Sequence, residues 1–158
     1  MDDLTRLVAI EDIRQLKTRY FRAIDTHDWD LLATIFANDA VFDFTEANYD
    51  PNFPDPDRVV TPPVEGGPAI VEAIKGALTG ANSAHHGHVS EITVTSETTA
   101  SGIVPMEDNV RNVSGEVNFA LKGYGYYEET YEKRDGAWRI KTSYIRRLRT
   151  DLSGTAPV

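Results

Sequence analysis

The sequence predicts an α+β domain, with helices on one face of an antiparallel sheet. Two observations carry this. Apolar residues recur every three or four positions in the first half of the chain, then alternate with polar ones in the second. Helices first and strands afterwards is the order of an α+β chain rather than an alternating α/β one. At 158 residues, 41% hydrophobic and 26% charged, a single domain can bury a core without staples.

Leu7, Val8, Ile13, Leu16, Tyr20 and Ile24 predict an amphipathic helix from Leu4 to about Asp25. Trp29, Leu32, Ala33 and Phe36 continue that period in a second, shorter helix, with Asp28 or Thr26 as its cap. Val41-Phe42-Asp43-Phe44 reads as a short strand. Six of the eight prolines fall between Glu46 and Pro68, so residues 46–68 are expected to form a long loop or lid. Ala69 to Leu78 is a third helix, closed by Gly80. Glu91 to Thr99 is the first long strand, and two more follow near Ser101–Arg111 and Val117–Arg134. Asp135-Gly136 is a two-residue hairpin signal that returns the chain through Trp138-x-Ile140 toward Leu148. Residues 1–149 then form one domain, and 150–158 a flexible tail.

Composition excludes several classes. With no cysteine there is no disulfide, thiolate nucleophile or cysteine-ligated zinc. A net charge of −9 argues against nucleic acid, whose binding rests on neutralising phosphates. No apolar run approaches the roughly 20 residues of a membrane span. The acidic start, Met1-Asp2-Asp3-Leu4, is unlike a signal peptide, and a cytoplasmic protein is expected. Nucleophile-elbow, P-loop and dinucleotide fingerprints are absent. Asp50-x-Asn52-x-x-Asp55-x-Asp57 lacks the glycine and terminal glutamate of a calcium loop and reads as solvated.

Three of the four histidines crowd into His85-His86-Gly87-His88, which opens the alternating run Ile92-x-Val94. Histidine is the side chain best suited to move protons near neutral pH. Asp25, late in the first helix, faces the negative end of the helix dipole, unfavourable by about 0.3–1 kcal/mol. A His85 Nδ1–H would compensate it; the plain alternative is a cap at a helix junction. Regular alternation puts His85 on the face opposite Ile92 and Val94. Either the pocket lines that other face, or a bulge at Gly87 shifts the register. His86 and His88 share a face and could hold a metal, but no third ligand is evident; they read as surface or subunit-contact residues, and no metal is assigned. Tyr20 precedes Asp25 by five residues, about 140° around the helix. Tyr124, Tyr126 and Tyr127 suit packing, with Tyr126 or Tyr127 able to close a pocket. Among Arg146, Arg147 and Arg149, alternation sends the latter two to a solvated face and Arg146 inward.

Ile10-Glu11-Asp12-Ile13, Tyr20-Phe21-Arg22-Ala23-Ile24-Asp25, Asp28-Trp29-Asp30, His85-x-Gly87-His88 and Thr98-Thr99-Ala100-x-Gly102 come in this order. Met106-Glu107-Asp108-Asn109 and Tyr131-Glu132-Lys133-Arg134-Asp135-Gly136-x-Trp138 follow. Together they resemble the SnoaL-like branch of the nuclear-transport-factor-2-like superfamily, over roughly Val8 to Arg149. The resemblance implies a cone: a curved, largely antiparallel mixed sheet packed against three helices of the N-terminal half, enclosing an apolar pocket. Within the family the chain looks nearest to bile-acid 7α-dehydratases, and more distantly to scytalone dehydratase and hexachlorocyclohexane dehydrochlorinase.

The resemblance assigns catalytic roles to His85, Asp25 and Tyr20, and substrate contacts to Asp108 and Arg146, with Phe44 at a pocket position; Tyr127, from the tyrosine cluster, is a further candidate for substrate contact. Phe44 stands where these dehydratases have a pocket tyrosine, and the proline-rich loop looks enlarged. The expected function is a cofactor-independent lyase, a dehydratase acting on a hydrophobic cyclic, steroid-like hydroxy-ketone. An isomerase or cyclase using the same proton abstraction, and a non-catalytic binding or assembly module, are the alternatives. Self-association, as a trimer rather than a dimer, is expected, with neither nucleic acid nor membrane as partner.

Overall fold

The stripe of the first helix packs as its spacing predicts from Ile13 onward, whereas Leu7 and Val8, one turn and more before it, are exposed because no described strand covers that end of the helix face. The computed structural model describes residues 1–58, 60–112 and 119–154. In it α1 (Asp3–Thr26) starts at Asp2, whose carboxylate accepts the Thr5 N–H at 2.7 Å. Ile13, Leu16, Lys17, Tyr20 and Ile24 form its buried face. The chain leaves the helix at His27 (φ 56), and Asp28 caps α2 (Trp29–Ala33) through the Leu31 N–H. That helix is shorter than predicted, because Phe36 already opens β1 (Phe36–Asp43).

The predicted 46–68 loop is likewise not irregular throughout. Val64–Glu65 forms β2 against β1, and α3 (Gly67–Leu78) carries Pro68 in its first turn. Proline suits that position, where the lost N–H has no helical partner anyway. The rest of the segment is fastened to the body. Arg58 donates to the Thr45 carbonyl, Asn52 to that of Leu148, and Thr150 to that of Tyr49. Asp50 and Asp55 cap the N–H groups two residues on, so these acidic residues build turns.

The remaining strands are β3 (Ala81–Gly87), β4 (Glu91–Val94), β5 (Thr99–Asn112), β6 (Phe119–Arg134) and β7 (Ala137–Gly154). Among the described residues they join one seven-stranded sheet, ordered β2-β1-β7-β6-β5-β3 with β4 also on β5. Only β1 and β7 run parallel, so the sheet is mixed; it curves without closing around the helices, forming the expected cone. Asp135 (φ 52) and Gly136 (φ 78) make the hairpin turn, both left-handed as a type I′ turn requires. β4 stops at Val94, where Thr95 and Ser96 N–H groups both turn back to the Thr99 carbonyl. β7 runs on to Gly154 with Thr150 buried, past the residue at which a tail was expected. Residues 155–158 of that tail, and Val117 and Asn118 of a predicted strand, lie outside the described residues. Among the described residues no helix is long and apolar enough to cross a membrane.

Three irregularities decide which side chains face inward. Gly87 pairs with Met106 but Glu91 with Ile103, so four steps on one side oppose three on the other. The register shift just after Gly87 sets His85 and Ile92 on the same inner face. On β7, Tyr131 pairs with Ile140 and Thr130 with Thr142, leaving Lys141 as an extra residue. Alternation beyond it is inverted, and Arg147 rather than Arg146 points inward. Leu148 is a second extra residue, between the Arg147 and Arg149 pairings.

Candidate active site

The cone holds a cavity of about 410 Å³. Ile24, Ile74, Leu78, Val110, Leu121 and Ile145 make most of its wall apolar, and Phe44, Ala47 and Asn48 close the side of the fastened loop. Phe44 stacks flat on Phe42, centroids 4.0 Å apart. The polar groups that reach the cavity are few and come from different elements: Tyr20, His85, Asp108, Tyr127 and Arg147, beside Asn48 and Asn112. Of the residues proposed from sequence, His85, Tyr20, Asp108, Phe44 and Tyr127 meet here.

Asp25 stands behind His85. Its Oδ1 lies 2.6 Å from His85 Nδ1 and accepts the Ser83 hydroxyl at 2.8 Å. Its Oδ2 accepts the His85 backbone N–H at 2.8 Å. These donors compensate the helix dipole that a carboxylate meets at this end. Burial pushes the Asp25 carboxyl up, but the His85 side-chain and backbone hydrogen bonds, the His85 charge and Ser83 outweigh it and hold it below the usual 3.8. Phe21 stacks on the imidazole, rings 6.4 Å apart and 14° from parallel. Gly87 allows that packing, since a Cβ there would come within 2.4 Å of the Phe21 ring. Tyr20 and Asp25 need not share a helix face: Tyr20 borders the cavity directly, and Asp25 reaches it through His85. The Tyr20 hydroxyl donates to that of Tyr127, and burial pushes both phenols up, so both stay protonated and the Tyr127 O–H is the one left to donate.

The inward arginine departs from expectation. Arg146 pairs with Glu128 and Glu46 away from the cavity. Arg147 is 6% exposed and grips Asp108 through its two terminal guanidinium nitrogens, Nη1 and Nη2, at 3.1 and 2.8 Å. Its Nε and Nη2 also donate to the Ala47 carbonyl, at 3.0 and 2.8 Å, and Nη1 meets Met106 Sδ at 3.6 Å. All five N–H donors therefore have protein partners. Arg147 is a clasp between β5, β7 and the loop, and Asp108 is its counter-ion rather than a free carboxylate.

Gly123 lies beneath this pair; a Cβ would fall 2.1 Å from both Arg147 Nη1 and Asp108 Oδ1. Gly123→Ala is expected to cost about 1–3 kcal/mol by overpacking. It should appear as a lower urea midpoint at unchanged slope; a midpoint equal to the wild type would mean the pair yields freely.

A second buried ion pair escaped the sequence reading. Lys17 Nζ lies 2.7 Å from Glu129 Oε1, with side chains 5% and 0% exposed. Ser143 and Tyr131 hydroxyls complete the carboxylate's partners at 2.8 and 2.6 Å. The signal was present: Lys17 interrupts the stripe between Ile13 and Tyr20, and Glu129 alternates with Tyr127 and Tyr131. Burial pushes the Lys17 ammonium down, against the raising effect of Glu129.

Solved structures of similar fold include a candidate scytalone dehydratase from Novosphingobium aromaticivorans, 25% identical, covering 93% of this chain and 89% of that one at TM-score 0.74. Another is hexachlorocyclohexane dehydrochlorinase LinA-type3 from Novosphingobium barchaimii, 19% identical over 99% and 97% at TM-score 0.73. A candidate aromatic ring hydroxylase from Novosphingobium aromaticivorans is 22% identical over 92% of each chain, at TM-score 0.74. Its description differs in activity, so likeness at this level shows the fold alone. The sequence itself matches the SnoaL-like domain across residues 5–144, which is most of its length. With its cone, its apolar cavity and this match, the chain belongs to the SnoaL-like family.

Proposed function

We propose that this protein is a cofactor-independent lyase, a dehydratase acting on a hydrophobic cyclic hydroxy-ketone of steroid-like or similar shape. The observation that carries the reading is the His85 imidazole at the wall of an apolar cavity, with Nδ1 bound to Asp25. Because the carboxylate accepts, Nδ1 keeps the proton and Nε2 is the basic nitrogen. Nε2 takes a proton from the carbon beside the substrate carbonyl, and Asp25 stabilises the imidazolium. The Tyr127 hydroxyl, held from behind by that of Tyr20, donates to the oxygen on which negative charge develops. The His85 imidazolium then gives that proton to the departing hydroxide, so enone and water form, the imidazole is neutral again and no redox change occurs. Arg147 and Asp108 shape the site, their hydrogen-bonding capacity being spent on each other and on Ala47. Tyr20, Asp25, His85 and Asp108 also support a place near the bile-acid 7α-dehydratases, whereas Arg146, the match to their late arginine, is paired with Glu128 and Glu46.

The test is a panel of cyclic β-hydroxy-ketones, steroids included, followed by the ultraviolet absorbance of the conjugated enone. Wild-type protein is expected to eliminate water from at least one member, and His85→Ala to lose that activity. Turnover in His85→Ala within a few-fold of wild type would remove the base from the reading. Isomerised or cyclised product without elimination would replace the lyase by the corresponding enzyme class.

A further inference from the structure

The mechanism above makes no use of the buried Lys17. Its ammonium lies 3.4 Å from the centroid of the Tyr127 ring, 4.1 Å from that of Tyr20 and 5.1 Å from that of Phe21. Tyr20 and Tyr127 meet edge to face, centroids 6.1 Å apart at 82°. We propose that Lys17, anchored by Glu129, is a positioning residue that sets the Tyr20 and Tyr127 rings so that their hydroxyls sit in fixed geometry at the cavity wall. The inference rests on the reading of the Tyr127 hydroxyl, held by that of Tyr20, as the donor to the substrate oxygen.

Three features support it. A cation is attracted to the face of an aromatic ring, so one ammonium over two rings resists tilting or sliding of either. An apolar side chain in its place would fill the volume without that directional hold. The anchor is itself fixed, because Glu129 also accepts the Ser143 and Tyr131 hydroxyls from two strands. Finally, filling a core does not call for such a pair. Well-packed hydrophobic residues of similar volume are often as stable as a buried ion pair or more so. What the ion pair adds here is placement of the two phenols.

The experiment reads the phenols directly, without substrate. Tyrosine labelled with ¹³C at Cζ gives one NMR signal per ring, sensitive to the hydrogen bonding of its hydroxyl. Tyr20→Phe and Tyr127→Phe assign the two signals of interest. The double variant Lys17→Met/Glu129→Gln removes both charges together, leaving no unpaired ion. In it the Tyr20 and Tyr127 signals are expected to move beyond the scatter of Tyr49, Tyr124, Tyr126 and Tyr144; Tyr131 moves too, having lost its carboxylate partner. Lys17→Arg keeps both charges and sets a wider group over the rings, so it too should move the pair. It decides the matter if the double variant does not fold. Signals that stay at wild-type positions in a folded variant overturn the proposal and leave Lys17 as core filling. With a substrate from the panel, the double variant should lower kcat about tenfold and keep KM within about threefold. An unchanged kcat would likewise overturn the proposal. If the protein proves non-catalytic, the functional reading fails on its own, and the NMR comparison still decides whether Lys17 places the rings.

Discussion

Asp25→Asn is expected to lower turnover by about 10²–10⁴-fold, the range of general acid–base catalysis, with the fold retained. The reason lies in which groups face the carboxylate. Both oxygens only accept: Oδ1 from Ser83 and from His85 Nδ1–H, Oδ2 from the His85 backbone. An asparagine must put its NH₂ where one of these acceptors stood. Turned toward the imidazole, it donates to Nδ1 and drives the proton to Nε2, which can then no longer receive one from substrate. Turned toward the backbone, it sets donor against donor and pushes His85 out of place. In both arrangements the base is lost although its atoms remain, as happens when the analogous aspartate of a serine-protease triad becomes asparagine. The check is kcat on whichever substrate the panel yields, with circular dichroism to establish folding. Activity within a few-fold of wild type would return Asp25 to its other reading, a cap at a helix junction.

The same variant carries a pH signature. The folded carboxyl of Asp25 titrates below its ordinary 3.8, so its charged form gains more from folding than its neutral form. That contribution is fully present above the unfolded value and is lost as pH falls through the folded one. Thermal midpoints of wild type and Asp25→Asn should therefore differ most near neutrality and converge as pH drops below 3.8. A difference that widens on acidification would contradict the sign of the shift.

His85 and Asp25 were legible because each rests on a local rule. Asp25 is an unfavourable charge at a helix end, which called for a donor, and His85 belongs to a histidine cluster where a strand begins. Tyr20 followed from the family resemblance, and Tyr127 was one of two neighbouring tyrosines able to close a pocket, between which the sequence did not choose. Arg147 was not legible. Counting by twos from Trp138 and Ile140 leads to Arg146, and only the extra residue at Lys141 shifts the count. A bulge is set by the fit of β7 against β6, and nothing in Lys141-Thr142-Ser143 announces it. The face of His85 depended on a similar shift after Gly87, where both parities were open until the partner strand was known. Lys17 and Glu129 differ again: each stands in the pattern of buried neighbours, but a lone charge in a stripe ordinarily reaches solvent. Only the fold brings the two charges together across 112 positions of chain.

Arg147→Ala is expected to be the most destabilising of the single changes, by about 3–5 kcal/mol, the cost of breaking a buried ion pair from one side. The pair is 2% and 6% exposed, so the Asp108 carboxylate left behind has little water to turn to. The Ala47 carbonyl loses two donors in the same step, and the loop its main tie to β7. Domains of ordinary stability have about 5–15 kcal/mol in total, so the loss is a large share of what holds the chain folded. At roughly 2–4 °C per kcal/mol for a chain of this size, the thermal midpoint should fall by about 6–20 °C. Arg147→Met with Asp108→Leu removes both charges and should be less destabilising than Arg147→Ala alone, because the penalty comes from the stranded carboxylate and not from the lost attraction. Hydrogen exchange should accelerate from Thr45 to Arg58 in Arg147→Ala, since those residues hang on the clasp. A loss below about 1 kcal/mol, the range of a solvent-exposed pair, would mean that Asp108 finds another donor and that the loop is held by Glu46, Asn52 and Thr150. The wall of the cavity would then be adjustable, and the range of ligands it admits would widen with it.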